Sequence, residues 1–353
     1  MPRQSSSVQA RYLISTAIGF IACCIGFVLL VFLQMGGATE SSRYIDEIHD
    51  IKTEAAVNVL DQPKLLVIGG SNALFGISCE QIQEQTSFPC VNGATQAGLG
   101  IKYMFDRAES WLHPGDTVLL ALEYFHYRDG DRANDMVIDY VFAHDPDYLK
   151  RADLKTKFQF FSGISFIRIL RGLAAKLSPP PPRSGGYQSE TLNALGDETN
   201  NSAEQRPPEG VNRIQTAPPL DVSSLKAASH NSGIQTIESF VEWCANHQVK
   251  VLATWPNTIW FEKYSQPDNQ ALFRDIEALY DRLAVPMLGE FSDFMFARSM
   301  FYDTGYHLHD RGVEIRTQLL TQHLEPFINA KNDTEQNDVI GMEKSFTPIT
   351  SKT

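Results

Sequence analysis

The chain has 353 residues, of which 43% are hydrophobic and 20% are charged, and its formal net charge is -12. A chain of this length and apolar content can bury one substantial core. The acidic balance argues against a nucleic-acid-binding protein, because a groove for a phosphate backbone needs an excess of Lys and Arg. We therefore expect no nucleic-acid partner.

The N-terminal segment from Tyr12 to Met35 is apolar and carries no charged residue. It is long enough to cross a bilayer and longer than the apolar core of an ordinary signal peptide. Arg3 and Arg11 precede it, and the chain after it opens with acidic residues. The positive-inside rule predicts that residues 1–11 are cytoplasmic and that 12–35 form a single-pass signal anchor in the inner membrane. The connector over 36–63 and the main domain would then be extracytoplasmic (periplasmic). Cleavage near 36–38 is the alternative.

The five cysteines have different predicted roles. Cys23 and Cys24 lie in the apolar segment and are small apolar residues there. Cys79 and Cys90 flank a short predicted helix, and in an oxidising compartment they can form a disulfide. Cys244 lies on the apolar face of a predicted helix, which indicates a buried thiol. The spacing of Cys and His does not fit a zinc site, and we expect no metal and no cofactor.

Short apolar runs alternate with helical patterns from Lys64 onward. This alternation predicts an α/β domain over 64–328 with a doubly wound, flavodoxin-like parallel sheet of about five strands. The predicted strands cover 64–68, 89–92, 117–122, 249–253 and 285–288. Two apolar helices, near 135–142 and 161–173, are expected to pack on one edge of this sheet.

Two segments are expected to be disordered. Residues 178–224 are rich in Pro, Gly, Ser, Asn and Gln, so they offer too little apolar surface to offset the entropy of ordering. Because the alternation of strands and helices resumes afterwards, we interpret this segment as an insertion within one domain. Residues 329–353 are polar and are expected to form a disordered tail.

The stretch KLLVIGGSNALFG, from Lys64 to Gly76, places one serine after an apolar strand and a glycine turn. Parallel α/β sheets bind their ligands at the carboxyl ends of the strands, and Ser71 is predicted to lie at that edge. Ser71 is therefore a candidate nucleophile. The alternative is a Gly-rich turn with no chemical role.

A second stretch, YDTGYHLHDRG at 302–312, offers a base and a carboxylate together. A serine hydroxyl needs a base to take its proton, and that base is commonly a histidine oriented by a carboxylate. Parallel strands end on the same edge, so a loop after the fifth strand can reach a serine after the first. His307 and Asp303 are the candidates. The alternative is that Asp303 caps a turn or helix and that His307 is an ordinary surface residue.

Together the two stretches resemble the SGNH (GDSL-like) hydrolase family. In that family the serine lies in a Gly-Asp-Ser turn, and an Asp-x-x-His loop precedes a glycine that begins the last helix. GGS at 69–71 matches the first block, except that Gly70 replaces the aspartate. The histidine-to-glycine spacing of HLHDRG favours His307 over His309 as the base. Asp303 stands one residue further from the histidine than in the family pattern.

The resemblance also implies donors for an oxyanion hole. CVNGATQAG, at 90–98, looks like the second block, in which a glycine amide contributes, and Gly93 and Gly98 are both candidates. The third block normally supplies an asparagine, but Glu123 follows the corresponding strand here, and a carboxylate has the wrong charge. Asn72 or Asn257 could supply the amide instead, or each could be a turn residue. Glu123 is expected to be a structural hydrogen-bond acceptor or a contact for substrate hydroxyls.

An N-terminal anchor joined to an SGNH-like domain is similar to proteins that add or remove acyl groups on cell-surface polysaccharides. The resemblance implies an O-acyltransferase or acylesterase whose serine carries the acyl group, with a glycan or acylated small molecule as substrate and a membrane partner that delivers the acyl donor. Trp255 and Trp260 could stack on sugar rings, or they could belong to the core. The second hypothesis is a catalytically inactive domain that binds glycan or scaffolds an envelope biosynthesis complex.

Overall fold

A computed structural model describes residues 4–128, 133–181, 187–227 and 232–328. The described helices are α1 (Gln4–Gln34), α2 (Glu40–Val57), α3 (Ser71–Leu74), α4 (Cys79–Thr86), α5 (Ile101–Ala108), α6 (Asp135–Ala143), α7 (Pro146–Arg151), α8 (Leu154–Gly163), α9 (Phe166–Leu177), α10 (Pro208–Thr216), α11 (Ser232–Asn246), α12 (Ala271–Arg282) and α13 (Asp310–Ile328). The predicted tail, 329–353, lies outside the described residues.

The central sheet has five parallel strands in the order β2-β1-β3-β4-β6. These are β1 (Leu65–Gly69), β2 (Cys90–Asn92), β3 (Thr117–Ala121), β4 (Lys250–Thr254) and β6 (Met287–Leu288), while β5 (Thr258–Ile259) pairs separately with β7 (Met295–Phe296). Every residue of β1 and β3 is buried, because continuous apolar runs suit a sheet covered on both faces. The predicted α/β class with a five-stranded parallel sheet is confirmed.

The described chain divides into two units. The first contains residues 4–46 and 133–181, and the second contains 47–128, 187–227 and 232–328. The two apolar helices that we expected on an edge of the sheet are instead assigned to the first unit, and α9 contacts α1 there. Helical periodicity identifies the apolar face of a helix but not the element that covers it. The prediction that these helices pack on the sheet was wrong for this reason.

The first unit is built on α1, whose stretch Val8–Gln34 is long and apolar enough to cross a membrane. Its length and composition fit a single-pass anchor or a signal sequence. At its C-terminal end Val31 and Gln34 are fully buried, and the Gln34 side chain accepts a hydrogen bond of 2.7 Å from Arg168 of α9. The end of α1 is thus part of a folded helical unit.

Residues 187–224, which we expected to be disordered, are ordered in the structure, while 182–186 lie outside the described residues. Asp197 accepts backbone hydrogen bonds from Cys79 and Glu80 (both 2.9 Å) and so caps α4. Ile214 of α10 is fully buried. The composition argument is wrong for this segment because long-range polar hydrogen bonds and a few buried apolar side chains, such as Ile214, together hold it in place.

Cys79 and Cys90 form a disulfide with their Cα atoms 5.1 Å apart. The bond links the start of α4 to β2. Cys244 is a buried free thiol, and burial raises its pKa to about 12. A thiol with so high a pKa holds its proton at neutral pH and is a poor nucleophile. Cys244 is therefore a core residue, as predicted.

Because a lysine is buried in the second unit, we expect the free energy of unfolding to depend on pH. The Lys52 side chain is fully buried, and its Nζ donates to the carbonyl oxygens of Asn92 (2.6 Å) and Gly196 (2.8 Å). Burial lowers the pKa of Lys52 to about 7, although the negative charges of Asp197 and Glu198 act to raise it. An unfolded lysine keeps its proton up to about pH 10. Between these values the unfolded state binds more protons, so folding becomes more favourable as pH rises.

We therefore expect the free energy of unfolding to rise above pH 7 by up to about 1.4 kcal/mol per pH unit. Urea denaturation of the detergent-solubilised protein at a series of pH values measures it. Lys52→Met should flatten the rise, whereas the half-exposed Lys102, changed to Met as a matched control, should not. An equal rise in both variants would assign the effect to other groups.

Candidate functional site

Ser71 begins α3 directly after β1 and Gly70, and it is half-buried. Gly70 has no room for a side chain, because a Cβ there would lie 2.4 Å from both Ala97 Cβ and Glu123 Oε1. This crowding explains why the aspartate of the Gly-Asp-Ser pattern does not occur at position 70. The turn holds Ser71 at the carboxyl edge of the sheet, as the sequence predicted for a ligand-facing residue.

The Glu123 carboxylate lies under this turn. It accepts hydrogen bonds from the backbone N–H groups of Gly70 and Asn72, both at 3.1 Å, and its Oε2 is 3.2 Å from His126 Nδ1. Burial would raise the pKa of Glu123, but the hydrogen bond and charge of His126 and the bonds from Asn72 outweigh it, and the pKa is lowered. Only 1% of Glu123 is exposed, so the geometry supports the structural role over contact with substrate hydroxyls.

His126 completes the support of the serine turn. Its Nε2 is 3.1 Å from the carbonyl oxygen of Ala97, while Nδ1 faces the Glu123 carboxylate. Both ring nitrogens thus lie close to oxygen atoms of other residues. The Glu123 carboxylate, which lies between His126 and the turn, fixes the two N–H groups on either side of Ser71. The Ser71 N–H itself has no such carboxylate partner among the described residues.

Asp303 and His307 lie next to each other in a turn before α13. The Tyr302 N–H donates to the His307 carbonyl oxygen at 2.7 Å and closes the turn, and Phe301 pairs with Leu308. His307 Nδ1 is 2.8 Å from Asp303 Oδ1. The extra residue that separates this pair from the Asp-x-x-His pattern therefore does not prevent the contact.

The negative charge of Asp303 suits a residue that orients a histidine base. Burial would raise the pKa of Asp303, but the hydrogen bond and charge of His307, with a hydrogen bond from Tyr187, outweigh it and lower the pKa. An ionised Asp303 at Nδ1 holds the tautomer that leaves Nε2 free to take a proton. His307 is 7% exposed.

Tyr187 is a site residue that the sequence did not identify. Its hydroxyl donates a very short hydrogen bond to Asp303 Oδ2, and the hydroxyl oxygen is 2.8 Å from His307 Nδ1. Its ring lies 4.8 Å from that of Phe75, centroid to centroid. Tyr187 stands in the segment that composition predicted to be disordered, so no sequence signal pointed to it.

Phe75 connects the two halves of the candidate site. Its backbone N–H donates to the Ser71 carbonyl oxygen at 2.9 Å, one helical turn away, and its ring stacks on His307 with centroids 4.4 Å apart. The serine turn and the histidine loop are therefore neighbours. No hydrogen bond joins the Ser71 hydroxyl to His307 among the described residues. Catalytic hydrogen bonds are often long in unliganded enzymes and tighten when substrate binds.

The structure uses the Asn72 and Asn257 amides for internal contacts. Asn72 Nδ2 donates to the Ala121 carbonyl oxygen at 2.9 Å, and Asn257 Nδ2 donates to that of Tyr306 at 2.7 Å. Both side chains are fully buried. This arrangement argues against either amide as an oxyanion donor and supports the alternative of structural residues.

Arg316, on α13, is a second residue that sequence reasoning missed. Its guanidinium donates to Asn72 O (2.8 Å), Asn257 Oδ1 (2.5 Å), Asn72 Oδ1 (3.2 Å) and Trp255 O (3.1 Å). Burial lowers the pKa of Arg316 to about 9, although the negative charge of Glu123 acts to raise it. Arg316 thus ties the last helix to the serine turn and to the end of β4.

The predicted glycine donors both lie in the segment that follows β2. Gly93 is buried, with Ile68 Cδ1 3.0 Å from the position of a Cβ, and Gly98 lies in a short 3-10 turn. In the same segment Gln96 Nε2 is buried and has no hydrogen-bond partner in the part of the chain that the structure describes. The glycine roles remain predictions, and Gln96 is an additional amide that could serve as a donor.

The two tryptophans differ in exposure. Trp255 is fully buried, and its indole N–H donates to the Gly289 carbonyl oxygen at 3.0 Å, so it has no face open to a sugar. It belongs to the core, which was the alternative. Trp260 is 36% exposed and stays a candidate for stacking.

Among the described residues, His, Cys, Asp and Glu form no group of three or more suited to a metal.

If Ser71 and His307 act together on esters, Tyr187→Phe should reduce kcat for a chromogenic acetyl ester by roughly ten- to one-hundredfold, because one hydrogen bond to a charged group contributes roughly 1.5–3 kcal/mol. The loss should fall on kcat rather than KM, since Tyr187 contacts Asp303 and His307. Tyr302→Phe is the matched control, because its hydroxyl bonds the Gln205 carbonyl oxygen. Equal kcat values in the two variants would contradict a role for the Tyr187 hydroxyl.

Comparison with known proteins leaves the family open. No known family and no curated protein matches the chain. A structure from Streptococcus pneumonia, provisionally described as a platelet activating factor, is 12% identical with a TM-score of 0.40, over 80% of this chain and 93% of that one. The protein YxiM from Bacillus subtilis is 9% identical with a TM-score of 0.35, over 75% of this chain and 57% of that one. TM-scores this low decide neither fold nor function.

Proposed function

We propose that the chain is an SGNH-like serine enzyme that transfers or hydrolyses acyl groups. The observation that carries the proposal is the 2.8 Å contact between Asp303 and His307. The His307 ring also stacks on that of Phe75, which directly follows the short helix that begins with Ser71. These two contacts support the roles that the sequence motifs suggested for the three residues. Ser71 is the nucleophile, His307 the general base, and Asp303 the positioning residue.

In this mechanism His307 Nε2 takes the Ser71 hydroxyl proton while Ser71 Oγ attacks the acyl carbonyl carbon. The tetrahedral intermediate places a negative charge on the former carbonyl oxygen. The Ser71 N–H is available to stabilise it, because Glu123 engages only the flanking N–H groups of Gly70 and Asn72. His307 then protonates the leaving oxygen. Water or a sugar hydroxyl attacks the acyl-serine in the second half-reaction.

The proposed location is the outer side of the cytoplasmic membrane. The disulfide between Cys79 and Cys90 supports an oxidising compartment. The burial of Val31 and Gln34 against other helices supports an uncleaved anchor, because cleavage near 36–38 would remove those contacts. With an anchor and an outward-facing domain, a cell-surface glycan is the proposed acyl acceptor, and Trp260 is a candidate for stacking on it.

The alternative is a catalytically inactive domain that binds glycan or acts as a scaffold. Two observations favour it: the described residues include no hydrogen bond between Ser71 and His307, and the Asn72 and Asn257 amides are engaged elsewhere. The alternative predicts that Ser71 is no more reactive than any half-buried serine. A covalent acyl-serine intermediate distinguishes the two.

The test is incubation of the full-length protein with an activated acetyl ester, with and without candidate polysaccharides. Mass analysis of the peptide that contains Ser71 should show an acetyl group, and the label should decline when an acceptor glycan is added. Transfer to the glycan indicates a transferase, and release of acetate alone indicates an esterase. An unmodified Ser71 together with unchanged ester would contradict the enzymatic proposal.

A further inference from the structure

The helix α9 has one buried side and one exposed apolar side. One side is buried, with Ile169 fully covered and Gly172 against α1. The other side exposes Phe166 and Ile167 (61% each), Leu170 (50%) and Leu177 (90%). The spacing of these four residues places them on one face of the helix. The described part of the chain leaves these four large apolar side chains uncovered.

The preceding helix continues the open face. On α8, Leu154 and Phe158 are 83% and 73% exposed, and they are one turn apart on the same side. Large apolar patches on a monomer mark a surface that contacts another molecule or a membrane. The residues Leu154, Phe158, Phe166, Ile167, Leu170 and Leu177 are called the α8–α9 face below.

The position of this face within the first unit indicates what covers it. Gly172 of α9 approaches Gly37 so closely that a Cβ on Gly37 would lie 2.0 Å from the Gly172 carbonyl oxygen. Arg168 donates to the Gly37 carbonyl oxygen at 3.1 Å, and the Phe161 ring lies 6.1 Å from that of Phe32. Thus α9 crosses α1 where the apolar stretch Val8–Gln34 ends. With α1 as a membrane anchor, that point would lie at the boundary between the bilayer core and the headgroups.

The charge of the segment agrees with a lipid surface. Residues 150–177 contain seven Lys and Arg residues and one acid, in a chain whose net charge is -12. Arg168 is buried and bonded to Gln34 and Gly37, which leaves six basic residues for a lipid surface. Basic residues beside an exposed apolar face are typical of helices that lie in the membrane interface and bind anionic headgroups.

We propose that the α8–α9 face docks onto the bilayer surface, with its apolar side chains among the upper acyl chains and its basic residues at anionic lipid phosphates. α1 then crosses the membrane while α8 and α9 lie along it. The first unit is thereby held at the membrane through two elements rather than one. The proposal requires α1 to remain as an anchor, but it is independent of Ser71 chemistry.

The test uses the full-length chain in lipid nanodiscs of phosphatidylcholine and phosphatidylglycerol. Cys23 and Cys24 are first changed to Ala, since Cys244 is buried and the other two cysteines form a disulfide. Single cysteines at Phe158 or Leu170 are then labelled with an environment-sensitive fluorophore. Both residues are exposed, so folding should tolerate the change. Ile18→Cys on α1 is the membrane control, and Asp147→Cys on exposed α7 is the aqueous control.

We expect labels at 158 and 170 to show blue-shifted emission and quenching by nitroxide-labelled lipid, as at 18. The label at 147 should instead be quenched by aqueous iodide. Omitting phosphatidylglycerol should reduce the blue shift at 158 and 170 but not at 18. Iodide quenching at 158 and 170, with 18 still in lipid, would overturn the proposal. Shielding from both quenchers that appears only with two copies per disc would assign the face to a self-association surface and overturn it too.

Discussion

Replacing Ser71 with alanine should lower acetyl-ester turnover by about 10⁴-fold or more, because loss of the nucleophile removes the covalent route. It should also abolish labelling by a fluorophosphonate probe, which reacts only with an activated serine. Ser71 is half-buried and its hydroxyl has no hydrogen-bond partner among the described residues, so the substitution removes little packing. The unfolding midpoint should therefore stay unchanged while activity is lost.

The matched control is Ser110→Ala. Ser110 is exposed and bonds only the nearby Arg107 carbonyl oxygen at 2.7 Å, and it lies far from Ser71 in the chain. Its activity and labelling should equal those of the unmodified protein. If Ser71→Ala and Ser110→Ala react alike with the probe, Ser71 is not the nucleophile and the inactive-domain alternative is favoured.

The parts of the fold that follow from local pattern were predictable from the sequence. The apolar runs of β1 and β3 can be satisfied only in a sheet that is buried on both faces, and they lie there. The contact between Asp303 and His307 was foreseeable because the two residues are four apart in one loop, so no long-range packing was needed to bring them together.

The parts that depend on distant polar contacts were not predictable. Tyr187 belongs to a segment of low apolar content, and it is placed by contacts with Phe75 and with a loop more than one hundred residues away. Arg316 on an amphipathic helix is indistinguishable in sequence from a solvent-facing charge. Its buried position is set by four oxygen acceptors on other elements. Periodicity and composition carry no information about such partners.

Changing Arg316 to methionine should destabilise the protein by about 4 kcal/mol, since each buried acceptor left without a donor costs roughly 1–3 kcal/mol. Methionine fills much of the volume and removes a buried charge. Burial of that charge is unfavourable, and for the same reason the pKa of Arg316 is lowered to about 9. The stability gained by removing the buried charge is smaller than the stability lost. Four hydrogen bonds to buried oxygens disappear, and the buried charge of Glu123 loses a compensating positive neighbour. Arg316→Lys should give an intermediate loss, since an ammonium keeps the charge but lacks the planar fork.

The control for this substitution is Arg311→Met on the same helix, where the arginine is 61% exposed and pairs with Glu314. An exposed pair of this kind contributes at most about 1 kcal/mol. Urea denaturation of both variants in detergent, at equal pH, compares the two losses directly. Because Arg316 also bonds the Asn72 carbonyl oxygen, fluorophosphonate labelling of Ser71 should slow in Arg316→Lys below its unfolding transition. Equal stability losses at 311 and 316, with unchanged labelling, would mean that the guanidinium does not hold the serine turn.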